Sequence, residues 1–426
     1  MTIAVFAFSL LAAMALGMPI AFALIVCGVA LMIQVGMFDS QIIAQNVING
    51  ADSFPLMAVP FFMLAGEIMN VGGLAKRIVN VALALVGHVK GGLGYVTILA
   101  SCMLASLSGS AVADAAALAS LLVPMMVAAG HNKAHSAGRV AAGGIIAPII
   151  PPSIGFVIFG VAGGVSISKL FLAGVFPGLM LGIGLAVAWW WIVRKENIAP
   201  VPRKSLKEVG QAVLDGFWAL MLPFIIIFGL RFGIFTPTEA AVVVAVYALF
   251  VATCVYRELK FAQLYRLFVS AGLTTAIVMF LVAAALVSSW LITVAEVAQQ
   301  VVDLVRPFMG NQTLLLVAIM ILVVIVGTAL DMTPTILILT PILMPIIKQA
   351  GIDPVYFGVL FIINNAIGLI TPPVGTVLNV VCGVSKISMA EIIKGVWPFM
   401  VAQLIILLLL VLFPILVTGP ARWLAG

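Results

Sequence analysis

GGIIAPIIPPSIGFVIFGVAGGVSISKLFLAGVFPG, residues 143–178, is echoed by NNAIGLITPPVGTVLNVVCGVSKISMAEIIKGVWPF, residues 364–399. Both carry a Pro-Pro pair, a glycine soon after it, an Ile-Ser pair and a later Gly-Val-aromatic-Pro. Pro151 and Pro152 stand 221 residues before Pro372 and Pro373, and the same offset pairs Gly130 with Gly351 and Pro124 with Pro345. One internal duplication accounts for all of these matches. Carried upstream, its register sets SLSGSAVAD, residues 106–114, against GTALDMTPT, residues 327–335, and brings the break at Pro19 close to the one at Pro237.

The duplicated unit belongs in a bilayer. Of the 426 residues, 64% are hydrophobic and 8% charged, with a mean hydropathy of +1.32, which excludes an ordinary soluble globule. Many apolar stretches exceed the span length of about 20 residues and show no strand-like alternation, so the fold class is an all-α polytopic membrane protein rather than a barrel. The net charge of +6 comes from basic residues scattered through short loops, which read as topology signals and not as a nucleic-acid surface. Cys27, Cys102, Cys254 and Cys382 stand singly in apolar surroundings without metal spacing and read as packing residues. The N-terminus has no basic residue before Lys76, so a retained span is expected there rather than a cleaved signal.

The most charged segment, residues 194–210, follows Trp189, Trp190 and Trp191. These tryptophans resemble an interfacial belt, and the positive-inside rule places the segment in the cytoplasm. Residues 37–54 hold two aspartates and no Lys or Arg, and are expected as an outside loop. Lys90 and Lys133 then both fall inside with about 40 residues between them, which fits a helical hairpin whose tip, SLSGSAVAD, lies within the membrane. The first half makes five crossings and one re-entrant hairpin. An odd number of crossings inverts the second half, and its hairpin, tipped by GTALDMTPT, enters from outside.

The expected organisation is a first inverted repeat at 1–193, with scaffold spans 1–73, an interfacial arm helix 74–90, a hairpin 92–129 and a broken helix 140–165. A cytoplasmic linker follows at 194–213. The second repeat, 214–426, has scaffold spans 216–295, an arm helix 296–310, a hairpin 312–348 and a broken helix 356–384. That makes ten crossings, two hairpins and two arm helices.

Inverted repeats with paired broken helices are the signature of a secondary transporter. A Pro-Pro break frees carbonyl and N–H groups that lipid cannot satisfy, so they face protein or a polar cavity, and the facing helix ends offer carbonyls to a cation and N–H groups to an anion. The expected first ion site sets Ser106, Ser108, Gly109 and Ser110 against Pro151, Ser153 and Gly155. The second sets Gly327, Asp331 and Thr333 against Thr371, Gly375 and Thr376. Such hydroxyl, carbonyl and carboxylate oxygens suit a hard ion such as sodium. The expected substrate contacts are Ser108, Ser110, Pro152, Asn364, Asn365 and Pro373, while buried interhelical hydrogen bonds are an equal reading for the two asparagines. Asp331 aligns with Ser110 at the tip and is expected as the charged ligand. Asp114 aligns with Thr335, deeper in its arm, where it would cap a helix or close a buried hydrogen bond. Arg139 and Arg231 are expected at span ends as snorkelling anchors.

At PFFMLAGEIMNVGGLAKRI, LASLSGSAVADAAAL, GGIIAPIIPPSI, SISKLFLAGVFPG, GIDPVYFGV and IGLITPPVGTVLNV the chain resembles the large membrane subunit, the DctM-like M subunit, of tripartite ATP-independent periplasmic (TRAP) transporters. The match covers nearly the whole chain. It implies an elevator-type, sodium-coupled importer of the bacterial inner membrane, in which hairpins and broken helices form the moving domain. It also implies two partners, a small four-helix membrane subunit, expected as a separate chain, and a periplasmic substrate-binding protein. No cofactor is expected beyond Na+ as coupling ion. Within the family the likeness is to members that handle acidic sugars, of the sialic acid and keto-gulonate type. C4-dicarboxylate or other organic-anion transport, and transport without a binding protein, are the alternatives. An intramembrane enzyme would need a motif such as GxGD, HExxH or GxSG, which the chain lacks, and a channel would need a continuous polar pore.

Overall fold

The structure, a computed structural model, describes residues 2–194 and 202–425. Residues 195–201, in the first half of the expected linker, lie outside the described residues. The first repeat comprises α1 (Thr2–Ala15), α2 (Ile20–Val35), α3 (Ser40–Ala51), a 3-10 turn Phe54–Met57 leading into α4 (Ala58–Val71), α5 (Leu74–Val86), α6 (Gly92–Ser108), α7 (Ala111–Ala128), α8 (Lys133–Gly144), α9 (Ile154–Gly163) and α10 (Ile167–Val193). The second comprises α11 (Leu206–Arg231), α12 (Pro237–Phe250) with a π turn Val251–Val255, α13 (Phe261–Val294), α14 (Val297–Val305), α15 (Gln312–Gly327), α16 (Met332–Gln349), α17 (Pro354–Gly368), α18 (Thr376–Ser385), α19 (Met389–Leu412) and a last helix α20 (Ile415–Ala425).

The duplication is visible helix by helix. The hairpin arms α7 and α16 are both 18 residues long, and both their ends stand 221 residues apart. Helices α8 and α17 start at the same offset. The contacts between repeats are reciprocal: α7 of the first hairpin packs on α18, and α16 of the second packs on α9.

Eight helices are long and apolar enough to cross a bilayer, among the described residues. Six of these belong to the ten expected crossings, and the other two are the hairpin arms α7 and α16. The remaining four crossings fall on α1 and α2, of 14 and 16 residues, or about 21 and 24 Å long, and on the two interrupted pairs α8–α9 and α17–α18.

Two expectations are corrected. Residues 37–54 are not a loop, because Asp39 caps α3 by accepting the Gln41 N–H at 2.7 Å. Ile42, Ile43 and Val47 pack inward. At Gly50 the absent side chain lets α3 lie on α13, where a Cβ would stand 2.7 Å from the Cα of Ala283. The repeats diverge here for a local reason: Pro55 starts a 3-10 turn and divides the helix, whereas the duplicate position, Ala276, lets α13 run unbroken for 34 residues.

Arg139 is not a snorkelling anchor either. It is fully buried, with its guanidinium 4.0 Å from the Trp189 ring centroid and 5.7 Å from that of Phe399. It donates to the Gly94 carbonyl, and Trp189 donates to the Gly91 carbonyl at 2.9 Å. Together these bonds pin the base of the first hairpin to α8 and α10. Where α8 meets α19, Gly138 lies against the Gly395 backbone and Gly395 against the Ala134 carbonyl, with no room for a Cβ on either. The two repeats are joined at that crossing.

On the other side, α2, α4, α12 and α13 pack together. Ser288 donates to the Leu24 carbonyl at 2.7 Å and Ser270 to Glu67 at 3.2 Å. Helix α5 leaves this group at Gly73, whose φ of +76° suits only glycine without strain. Its next turn is held by the Arg77–Glu258 ion pair at 2.6 Å, with Arg77 also 3.7 Å from the Tyr256 ring centroid.

Candidate functional site: two hairpin tips against two helix breaks

The first hairpin turns over two residues, Gly109 and Ser110. Gly109, at φ +61°, ends α6, and Ser110 caps α7 by accepting the Ala113 N–H at 3.4 Å. Ser108 Oγ donates to Asp114 Oδ1 at 2.5 Å and accepts the Ser110 N–H at 3.1 Å. Asp114, 3% exposed, therefore closes a buried hydrogen bond behind the tip. A Cβ on Gly109 would lie 2.5 Å from the Pro152 carbonyl oxygen, so the tip rests directly on the break. A Cβ on Gly66 of α4 would lie 3.3 Å from that of Ser108, so the tip also touches the group around α4.

The first break runs between Gly144 and Ile154. Pro151 and Pro152 contribute no N–H groups, and their shared peptide bond is cis. Ser153 donates to the Pro148 carbonyl at 2.5 Å and accepts the Phe156 N–H at 3.1 Å, which caps α9. Ser106 donates to Met103 O at 2.7 Å, within its own helix. The hydroxyl protons of Ser106 and Ser153 thus go to backbone carbonyls. Gly155 lies beside the second hairpin: a Cβ there would stand 3.2 Å from Met332 Cε.

At the second tip the chain turns from Gly327 to Asp331. The Thr328 carbonyl accepts the Val374 N–H at 3.3 Å, and the Asp331 carboxylate accepts the Thr376 hydroxyl at 3.2 Å. Both bonds link the tip to the segment after Pro372 and Pro373. Behind them, a Cβ on Gly368 would lie 3.0 Å from the Gly327 backbone. Gly375, at φ +47°, leads the chain into α18. Thr371 donates to Ile367 O at 2.8 Å, and Thr333 sits half-buried in the first turn of α16.

Each tip therefore meets the break of its own repeat, and Met332 beside Gly155 brings the two sites next to one another. They differ in access. Ser108, Pro151, Pro152 and Ser153 are buried, whereas Asp331 and Pro373 are exposed. Asn364 Nδ2 donates to Met320 O at 2.6 Å, tying α17 to α15 about 10 Å along the arm from Gly327. Asn365 donates to Phe361 O in its own helix at 3.1 Å. Among the described residues, neither amide oxygen has a hydrogen-bond partner.

Three residues that shape the tips escaped the sequence reading: Gly66, Gly368 and Thr328. The two glycines left a signal, since an interior helix glycine is unfavourable unless a backbone comes close. Thr328 acts through its carbonyl, which sequence does not mark. Chemically, both tips present backbone and hydroxyl oxygens, with a carboxylate at each, and no group of three or more His, Cys, Asp or Glu that could hold a metal occurs among the described residues.

The chain matches the family model described as tripartite ATP-independent periplasmic transporter, DctM component, over residues 7–416. It is 55% identical over 423 residues to the 2,3-diketo-L-gulonate TRAP transporter large permease protein YiaN of Escherichia coli (strain K12), spanning 99% of this chain and 100% of that one. It is 39% identical over 398 residues to the sialic acid TRAP transporter large permease protein SiaM of Vibrio cholerae serotype O1, spanning 93% of each. The fold is also like that of the Alcanivorax borkumensis YdaH transporter, with a TM-score of 0.62 over 87% of each chain. At 13% identity that likeness is one of fold alone.

Proposed function

The chain belongs to the DctM component family of tripartite ATP-independent periplasmic transporters, and we propose that it drives sodium-coupled import of a carboxylated substrate, an acidic sugar, by an elevator mechanism. It is a multi-pass membrane permease of the TRAP type. The finer reading rests chiefly on one observation: each hairpin tip is seated on a helix break, with Gly109 against Pro152 O and Asp331 bonded to Thr376. Hydroxyl, carbonyl and carboxylate oxygens held this way form a ligand set for a hard monovalent cation, and the adjacent helix ends favour the anionic group of a substrate. The names of the relatives, 2,3-diketo-L-gulonate and sialic acid permeases, support an acidic sugar.

The mechanism follows from charge. A carboxylate carried alone toward the membrane interior is unfavourable by several kcal/mol. Sodium at each tip offsets that charge and draws tip and break together, so the loaded body slides and the empty one is penalised. The moving body comprises α6–α10 and α15–α19, locked at the Gly138–Gly395 crossing, and the scaffold comprises α1–α4 and α11–α13. Arm helices α5 and α14 join the two. Substrate reaches the tips from a periplasmic binding protein, and a small four-helix membrane subunit completes the transporter in the bacterial inner membrane.

Replacing Ser108, Ser110 and Asp331 singly with alanine, then measuring sodium-dependent uptake in proteoliposomes with both partners supplied, tests the assignment. Raised sodium requirement in these variants supports it. Unchanged sodium dependence in all three sinks it.

A further inference from the structure

We propose that Asp114 is the positioning residue of the first tip: its carboxylate accepts the hydrogen bond of the Ser108 hydroxyl and turns the remaining lone pair of that hydroxyl toward the ion, a role that rests on the sodium-coupled reading above. A serine hydroxyl has one proton and two lone pairs. The proton goes to Asp114 Oδ1, 2.5 Å away, and one lone pair takes the Ser110 N–H at 3.1 Å. A single lone pair is left, and its direction is fixed by the other two bonds. Without the carboxylate, the hydroxyl keeps its other acceptor, the Ser110 carbonyl at 3.5 Å, which would turn the proton into the tip loop and swing the free lone pair away.

The carboxylate also brings charge. Asp114 is 3% exposed, and its Oδ2 has no hydrogen-bond partner among the described residues. An unpaired anionic oxygen inside a membrane is stabilised by a nearby cation and by little else.

The duplication gives an independent argument. Ser110 and Asp114 correspond to Asp331 and Thr335, so each repeat places one carboxylate and one hydroxyl a helical turn apart, in opposite order. In the second repeat the carboxylate stands in front, bonded to Thr376, while Thr335 is turned back onto Asp331 O at 2.9 Å. In the first, the carboxylate stands behind and Ser108 fronts the site. The same charge reaches each tip by a different arrangement.

The test is a sodium titration of uptake by the whole transporter in proteoliposomes, comparing Asp114→Ala, Asp114→Asn, Ser108→Ala and the double variant Ser108→Ala/Asp114→Ala. Asp114→Ala is expected to raise the half-saturating sodium concentration about tenfold or more, with maximal uptake at saturating sodium nearly kept. Asp114→Asn, whose amide oxygen still accepts the Ser108 proton, is expected to shift it less. Because Asp114 acts chiefly through Ser108, the rise in the double variant is expected to fall well short of the product of the two single effects. If Asp114→Ala does not fold, Asp114→Leu, close to aspartate in size and without an acceptor, takes its place in the cycle. Wild-type uptake driven by sodium, together with an Asp114→Ala variant of unchanged sodium requirement or effects that multiply in the double variant, overturns the role of Asp114 alone. Wild-type uptake indifferent to sodium overturns the sodium reading itself.

Discussion

Substituting Gly109 with alanine perturbs the tip in two separable ways. The residue sits at φ +61°, where an L-residue is disfavoured by about 1–2 kcal/mol. The new Cβ also lands 2.5 Å from the Pro152 carbonyl oxygen, against backbone that cannot swing aside. Ordinary contact needs about 1 Å more, so the tip must lift from the break by roughly that distance, beyond the roughly 0.5 Å within which a binding constellation stays productive. Gly164 isolates the first effect, because it lies at φ +64° with nothing within 4 Å of its Cβ position. Both variants are expected to lower thermal stability in detergent, Gly109→Ala by more because of the added clash. Only Gly109→Ala is expected to raise the sodium concentration for half-maximal uptake, by about tenfold or more, equivalent to about 1.4 kcal/mol. A Gly109→Ala transporter with wild-type sodium dependence would refute the claim that the tip-to-break contact forms the ion site, as would an equal shift from Gly164→Ala.

Other perturbations follow from the same geometry. Thr376→Val removes the hydroxyl bonded to Asp331 and is expected to raise half-saturating sodium severalfold, less than Asp331→Ala does, in the same uptake titration. Arg139→Lys is expected to lower thermal stability more than Arg139→Met, because lysine leaves a compact charge among Trp189, Phe399 and Gly94 without the flat guanidinium that stacks there, while methionine leaves none. Melting of the purified protein ranks the two, and the reverse order would contradict a stacking role. Asn364→Leu is expected to cost about 1 kcal/mol of stability through the lost bond to Met320 O and to leave sodium half-saturation within about twofold. A large rise in substrate KM would instead make Asn364 a binding residue.

What the sequence revealed depended on whether a feature repeats. The Pro-Pro breaks and tips could be found because two copies compared at a fixed offset expose a pattern that neither shows alone, and the 221-residue spacing recurs in the ends of α7 and α16. Helix α3 was hidden because its duplicate is a stretch of the unbroken α13, and because a polar, uncapped-looking segment without Lys or Arg resembles a loop until Asp39 is seen to cap it. Arg139 was misread for the same reason: its duplicate is Leu360 and its partners, Gly94, Trp189 and Phe399, are far apart in the chain. Charge patterning places an arginine near a membrane boundary, but only tertiary packing shows whether it reaches water. The link between Ser108 and Asp114, six residues apart on opposite arms of the turn, depends on how the tip closes around Gly109, which spacing alone leaves open.

The most direct measurement is labelled sodium influx into proteoliposomes holding the complete transporter, driven by an inward gradient of acidic-sugar substrate with no sodium gradient imposed. Coupling at the two tips predicts that substrate carries sodium inward with it, and that Ser108→Ala and Asp331→Ala each weaken this flux. Substrate uptake at full rate with no accompanying sodium movement would contradict it.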